Sequence, residues 1–150
     1  MARFGVGHAG ATSGTNLTII SVNVTATLTR PKIYDLTIGS DATPADQAAE
    51  FQVLRISASG STGTALTAMG LESTSLTAVA NSIGGPFTVE PTFVAGPMLS
   101  IALNQRATFR WVAAPGSELT GGPLQSSGIA LRSIGSGAAY ALVGSLLWEE

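Results

Sequence analysis

Apolar and polar residues alternate along much of this chain with a period of two, the spacing that puts successive side chains on opposite faces of a β-strand. From Leu17 to Leu28, the residues Ile20, Val22, Val24, Ala26 and Leu28 share one face, and Ser21, Asn23, Thr25 and Thr27 share the other. That pattern predicts a half-buried strand. After Arg30-Pro31, the run Lys32 to Ile38 brings Tyr34, Leu36 and Ile38 together and closes at Gly39-Ser40-Asp41. Asp41 to Ala49 carries Thr43-Pro44 ahead of Ala-Asp-Gln-Ala-Ala and predicts one short helical turn. Phe51 to Ala58 is a further strand, whose apolar face changes parity between Val53 and Leu54 as a bulge would cause.

Gly60 to Gly63 reads as a turn, and Thr64 to Asn81 fits neither the strand nor the helix period, so short strands and loop are expected there. Phe87 to Val94 is a short strand interrupted by Pro91, which places it at a sheet edge. Met98 to Leu103 and Thr108 to Ala113 each keep one apolar face, with Phe109 and Trp111 opposite Arg110. Joined at Asn104-Gln105, they predict a hairpin. A loop rich in Pro, Gly and Ser, Ala114 to Ser127, leads to a strand at Gly128 to Ile134 and a last one at Tyr140 to Trp148.

Roughly seven to nine short strands without a long amphipathic helix predict an all-β, antiparallel β-sandwich, and a jelly roll suits that strand count. The sandwich domain is expected over residues 16–150. Residues 1–15, rich in Gly, Ala and Ser, are expected to form an extended, flexible N-terminal arm that orders only against a neighbour.

Charged residues make up 11% of the 150 residues and the net charge is −2, against about 25% charged residues in ordinary soluble domains. The few Arg residues form no basic stripe, so nucleic acid is not an expected partner. No apolar run approaches the roughly 20 residues that cross a bilayer, and no apolar core follows Arg3, so neither a membrane partner nor secretion is expected. Cysteine is absent, which removes disulfides, thiolate metal sites and a cysteine nucleophile.

The motifs point away from catalysis. Gly5-Val6-Gly7-His8-Ala9-Gly10 has the dinucleotide-binding spacing but lacks the strand before it and the helix after it that such a loop needs, so no cofactor is expected. His8 is the single histidine, and a Ser-His-Asp triad would have to recruit it from the arm. Asp41, Asp46 and Glu50 read as capping and surface residues rather than as metal ligands. Two glycosylation-type triplets, at Asn16 and Asn23, carry no weight without secretion. Trp111 alternates inward with Phe109 and is expected in the core, whereas Trp148, beside Glu149-Glu150, is expected at an interface together with Arg3, Phe4 and His8.

The stretch Ile101-Ala-Leu-Asn-Gln-Arg-Ala-Thr-Phe-Arg-Trp-Val-Ala-Ala-Pro-Gly-Ser-Glu-Leu, followed by Gly128-Ile-Ala-Leu-Arg and the closing Leu147-Trp-Glu-Glu, resembles the small head proteins of tailed bacteriophages. The likeness lies in the C-terminal part of the chain. It implies a capsid decoration or cement protein: a structural virion component without active-site residues, assembled in the host cytoplasm. Such a protein docks on the outer surface of the phage head, partners the major capsid protein and itself as a homotrimer, and braces neighbouring capsomers. Few charges and many small polar residues suit a surface covered by other subunits, and an arm would add a strand or clasp to a neighbour. The alternative is a carbohydrate-binding or adhesin-like β-sandwich module displayed on a virion, with Ala114 to Ser127 shaping a shallow site. That alternative requires exposed aromatic or acidic residues on one loop face, whereas a cement protein requires an apolar face turned towards other subunits.

Overall fold

The computed structural model describes residues 1–12, 16–26, 29–74, 77–135 and 140–150. Among them each period-two segment contains a strand, although the one expected over Leu17 to Leu28 ends at Asn23, with residues 27 and 28 outside the described residues, and shorter strands fill the stretches where the pattern is weak. The long strands of the first half are β1 (Arg3–Thr12), β2 (Leu17–Asn23), β3 (Lys32–Ser40) and β4 (Ala48–Ala58). Four short ones follow: β5 (Thr64–Leu66), β6 (Met69–Gly70), β7 (Asn81–Gly84) and β8 (Thr92–Phe93). The second half adds β9 (Leu99–Asn104), β10 (Phe109–Val112), β11 (Leu119–Thr120), β12 (Gly128–Ile134) and β13 (Ala141–Glu149).

These strands pair antiparallel into two sheets. One has the order β10-β3-β13-β1-β6, with β11 also on β3; the other has the order β5-β7-β2-β12-β4-β8, with β9 also on β4. With the short strands set aside, the chain passes from sheet to sheet as β1, β2, β3, β4, stays for β9, and crosses again for β10, β12 and β13. The sheets then read β1-β13-β3-β10 and β2-β12-β4-β9, the double Greek-key arrangement of a jelly roll.

Directly paired residues in an antiparallel ladder share a face, so the register identifies the core. Phe4↔Trp148, Val6↔Leu146 and Leu36↔Leu146 point inward from the first sheet. Val53↔Leu131, Phe51↔Ile101 and Leu131↔Ile20 meet them from the second. Trp148 and Leu146 are fully buried and Phe4 is 1% exposed, with the Phe4 and Trp148 rings 5.9 Å apart. Gly128 sits where the second sheet is tightest: a Cβ there would lie 2.0 Å from the Val22 carbonyl oxygen, so no larger residue fits without moving β2.

Several expectations are corrected. Residues 3–12 are not an arm but β1, which pairs with β13 from Arg3↔Glu149 to Thr12↔Ala141; residues 13–15 lie outside the described residues. Its inward positions, Phe4, Val6 and His8, do alternate. Small outward residues hide that signal, and its partner strand lies at the far end of the chain. Phe4 and Trp148 are accordingly core residues rather than interface residues, because pairing of β1 with β13 seals them between the sheets.

The expected hairpin is also absent: β9 pairs with β4 and β10 with β3, so residues 105–108 turn a corner from one sheet to the other. Buried Gln105 pins that corner, donating its backbone N–H to Gln47 O and accepting from Ala45 N at 2.9 Å. A hairpin and a corner demand the same inward apolar pattern, which is why the pattern does not separate them. Residues 41–47 hold bends instead of a helical turn, with Thr43 at φ 46°. Finally, β4 passes Val53 and Leu54 without a register shift against β12. Both residues are buried because both faces of β4 are covered at that point.

Replacing Trp148 by Ala is expected to lower the unfolding free energy by about 3–5 kcal/mol, the range for emptying a large aromatic site in a core. Deleting residues 1–12 is expected to abolish the cooperative transition altogether. Urea unfolding followed by tryptophan fluorescence and circular dichroism checks both, and a cooperatively folded truncation would contradict the placement of β1 within the core.

Candidate functional site

The two outer faces of the sandwich differ. On the sheet that holds β4, the chain crosses the outside as a roof between Gly85, at the edge of β2, and β8, at the edge of β4. Gly85 N bonds Ile19 O, Val94 N bonds Arg55 O and Met98 N bonds Val53 O. The Glu90 carboxylate accepts from Thr18 N at 3.0 Å and from Thr18 Oγ1 at 2.5 Å. The Arg132 guanidinium lies 4.5 Å from the centre of the Phe93 ring, a cation–π contact. Thr18, Ser21, Leu54, Ile56 and Ala130 are thereby buried on the far side of the sheet from the core.

No described element crosses the opposite outer face. Its register sets out three rows. The first runs Val112, Asp35, Leu147, Gly5, Met69; the second Arg110, Thr37, Ser145, Gly7; the third Gly39, Val143, Ala9. Almost all of these side chains are small or apolar, and the glycines flatten the surface. A shallow depression of about 260 Å³ opens between Gly39, Thr37, Thr108, Val143 and Ser145. Val112, Val143 and Met69 are exposed on this face, and exposed Leu71 lies against Gly5.

The charge on this face is largely self-cancelled. Arg110 donates to Asp35 through Nε at 3.0 Å and through Nη2 at 2.5 Å, a forked pair. The hydrogen bond to Asp35, and then its charge, raise the Arg110 pKa above the ordinary guanidinium value. At the end of the face where β3 starts, Lys32 Nζ stands 3.9 Å from Glu149 Oε1 and the Arg3 guanidinium 5.6 Å from the Tyr34 ring centre. Burial, then the carboxylates of Asp35 and Glu149, push the Tyr34 phenol up, against an opposing pull from Arg3.

Of the residues expected at an interface, only Arg3 is exposed, at the margin of this bare face. His8 reaches inward across the gap between the sheets, its Nε2 2.6 Å from Gly85 O. The Gly5-to-Gly10 motif is strand, with Gly5 and Gly7 facing outward and Gly10 at a register shift with φ 105°. Trp111 is half-buried and packs on the core. Asp46 accepts from Asn104 Nδ2 at 2.6 Å and Glu50 from Gln52 Nε2 at 2.8 Å, and no group of three metal-ligating side chains occurs among the described residues. Thr37, Gly39, Val143 and Ser145 are the face residues that sequence reading missed. Their only local signal is a run of small residues at alternate positions opposite the apolar ones.

The loop Ala114 to Ser127 lines a cleft at one end of the sandwich, with Arg30, Arg55 and Val94 opposite it. Its described lining residues include no aromatic ring and no carboxylate. No family model matches the chain, and neither a curated protein nor a solved structure matches it.

Glu90→Ala is expected to loosen the roof without unfolding the sandwich, because it removes hydrogen bonds to a charged group worth about 1–3 kcal/mol. Amide exchange should quicken at Thr18 and along residues 85–94 while β13 stays protected; uniform protection in the variant would contradict a roof held by Glu90.

Proposed function

We propose that this chain is a structural virion protein, a capsid decoration or cement protein that docks its bare β10-β3-β13-β1-β6 face on the outer surface of a phage head. The observation that carries the reading is the asymmetry of the two outer faces. One is roofed by the chain itself, and the other is flat, nearly free of net charge and fringed by exposed Val112, Val143, Met69 and Leu71. Interfaces are depleted of charge at their centre and bury apolar atoms there. The resemblance of residues 101–119, 128–132 and 147–150 to small phage head proteins supports the same reading.

The major capsid protein is then the partner of the face, and copies of the chain are partners of one another. A homotrimer needs heterologous contacts between two different patches. The outer edges of β9 and β10 suit one of these patches. Neither edge pairs with another strand among the described residues, and half-buried Phe109, Trp111, Leu99 and Leu103 lie along that side. Many weak attachments, multiplied by the trimer and the lattice, brace neighbouring capsomers through avidity. The protein works by adhesion rather than catalysis, in the virion, on the exterior of the head.

Heads of the encoding phage that lack this protein are the binding target, and co-sedimentation is the readout. The wild type should bind in stoichiometric amounts and light scattering should give the mass of a trimer. Ser145→Arg, in the middle row of the face, should abolish co-sedimentation with an unfolding midpoint near that of the wild type. Gly7→Val should weaken binding while leaving the fold as stable or more so, since a Cβ at Gly7 meets nothing closer than Gly144 O at 3.8 Å. Val89→Arg, on the roofed side, should bind normally. Folded Ser145→Arg and Gly7→Val proteins that bind like the wild type would sink the face as the docking surface.

A further inference from the structure

The cleft at the end of the sandwich has no part in this docking, and its chemistry is unlike that of the bare face. Three stretches between strands meet there: Arg30 lies just before β3, Val94 just after β8, and Gly121, Gly122, Pro123, Leu124 and Ser127 between β11 and β12. Connections held by a rigid sandwich are the usual place for a binding site. At about 570 Å³ the cleft is within the usual range for small-molecule sites.

Two of the chain's seven Lys and Arg residues line this cleft. The ion pairs among the described residues are Lys32–Glu149 and Arg110–Asp35, so neither Arg30 nor Arg55 belongs to one. A protein of net charge −2 thus concentrates unpaired positive charge at one concave spot. Arg55 is also held in place. Its Nε donates to Thr120 O at 3.0 Å, tying the end of β4 to β11 in the other sheet. That bond uses one edge of the guanidinium and leaves its two terminal nitrogens to grip an anion side by side, as Arg does with carboxylates. Apolar side chains line the cleft as well, with Leu124 and Val94 67% and 46% exposed. A bare inorganic anion would leave that apolar surface uncovered. A ligand with a carboxylate at one end and an apolar body would use both features.

We infer that Arg30 and Arg55 bind the carboxylate of a small organic acid in this cleft, with its apolar body against Val94 and Leu124. A free aromatic or aliphatic acid and an acidic sugar share this chemistry, and the test separates them. The full-length ¹⁵N-labelled protein is titrated with benzoate and with glucuronate, each against its uncharged counterpart, benzyl alcohol and glucose, with sodium sulfate as a further arm. Shifts at Arg55, Val94 and 120–124 are expected with a carboxylate and not with its neutral counterpart, and they should weaken as sodium chloride is added. Benzoate binding above glucuronate identifies the hydrophobic acid, and the reverse order the sugar acid.

Arg30→Ala, which leaves the Arg55–Thr120 bond in place, should weaken binding by about tenfold, the worth of one charge-assisted contact. Arg55→Lys should weaken it too, because a point charge replaces the fork. Equal shifts with acid and alcohol, shifts with sulfate as large as with either acid, or a folded Arg30→Ala protein with wild-type affinity would each overturn the assignment. Head binding serves as the internal control, since loss of the carboxylate site should leave co-sedimentation unchanged.

Discussion

A chain that begins and ends in the same ladder closes only if its two ends find each other, and the pairing of β1 with β13 is the constraint on which the rest of this structure depends. The ladder runs from Arg3↔Glu149 to Thr12↔Ala141, and beyond it Ala2 and Glu150 exchange backbone hydrogen bonds at 3.1 Å. It brings Phe4 onto Trp148 and Val6 onto Leu146, filling the middle of the core. It also fixes Glu150, whose carboxylate accepts from Val79 N and, at 3.0 Å, from Ala80 N, fastening the approach to β7. Bringing such distant segments together costs loop-closure entropy, which burial of two large rings and a long ladder must offset.

That dependence explains what the sequence makes legible. The strands β2, β3, β9, β10, β12 and β13 each carry their own alternation; the all-β sandwich class follows from their number and spacing, and a jelly roll merely suits their count. Sheet membership does not follow, because an inward apolar face looks the same whichever sheet it belongs to. Hence β9 and β10 resemble a hairpin while they lie in different sheets. β1 escapes notice for a related reason. Its outward positions are Gly5, Gly7 and Ala9, so the contrast between its faces is weak, and what makes it a strand is a partner that local reading does not see.

The candidate site is the least legible part, since it consists of the positions that the apolar pattern leaves over. Val53 and Leu54 illustrate the point. A change of parity reads as a bulge, yet β4 is regular there against β12 and its second face is buried under the crossing between β7 and β8. Only tertiary structure tells a covered outer face from a bare one. Once Phe87, Phe93 and Glu90 are seen over one sheet, the lack of such cover on the other among the described residues becomes informative.

The glycines of the bare face carry this further. Gly144, on the inward side of β13, has an internal reason: a Cβ there would come within 3.1 Å of Leu131 and 3.2 Å of Ile19. Gly7 and Gly39 have none of that kind, with nearest neighbours at 3.8 and 3.4 Å, the range of ordinary contact. Glycine in a strand interior costs roughly 0.5–1 kcal/mol relative to alanine, through lost chain entropy and missing cross-strand packing. A face that only met water would gain stability from Thr or Val at these positions, which pack against their neighbours on a pleated surface. Flatness therefore has a cost within the chain, and under the proposed docking it has a use outside it, where a second surface would approach the backbone closely. The docking reading gives Gly7 and Gly39 a purpose that folding alone does not.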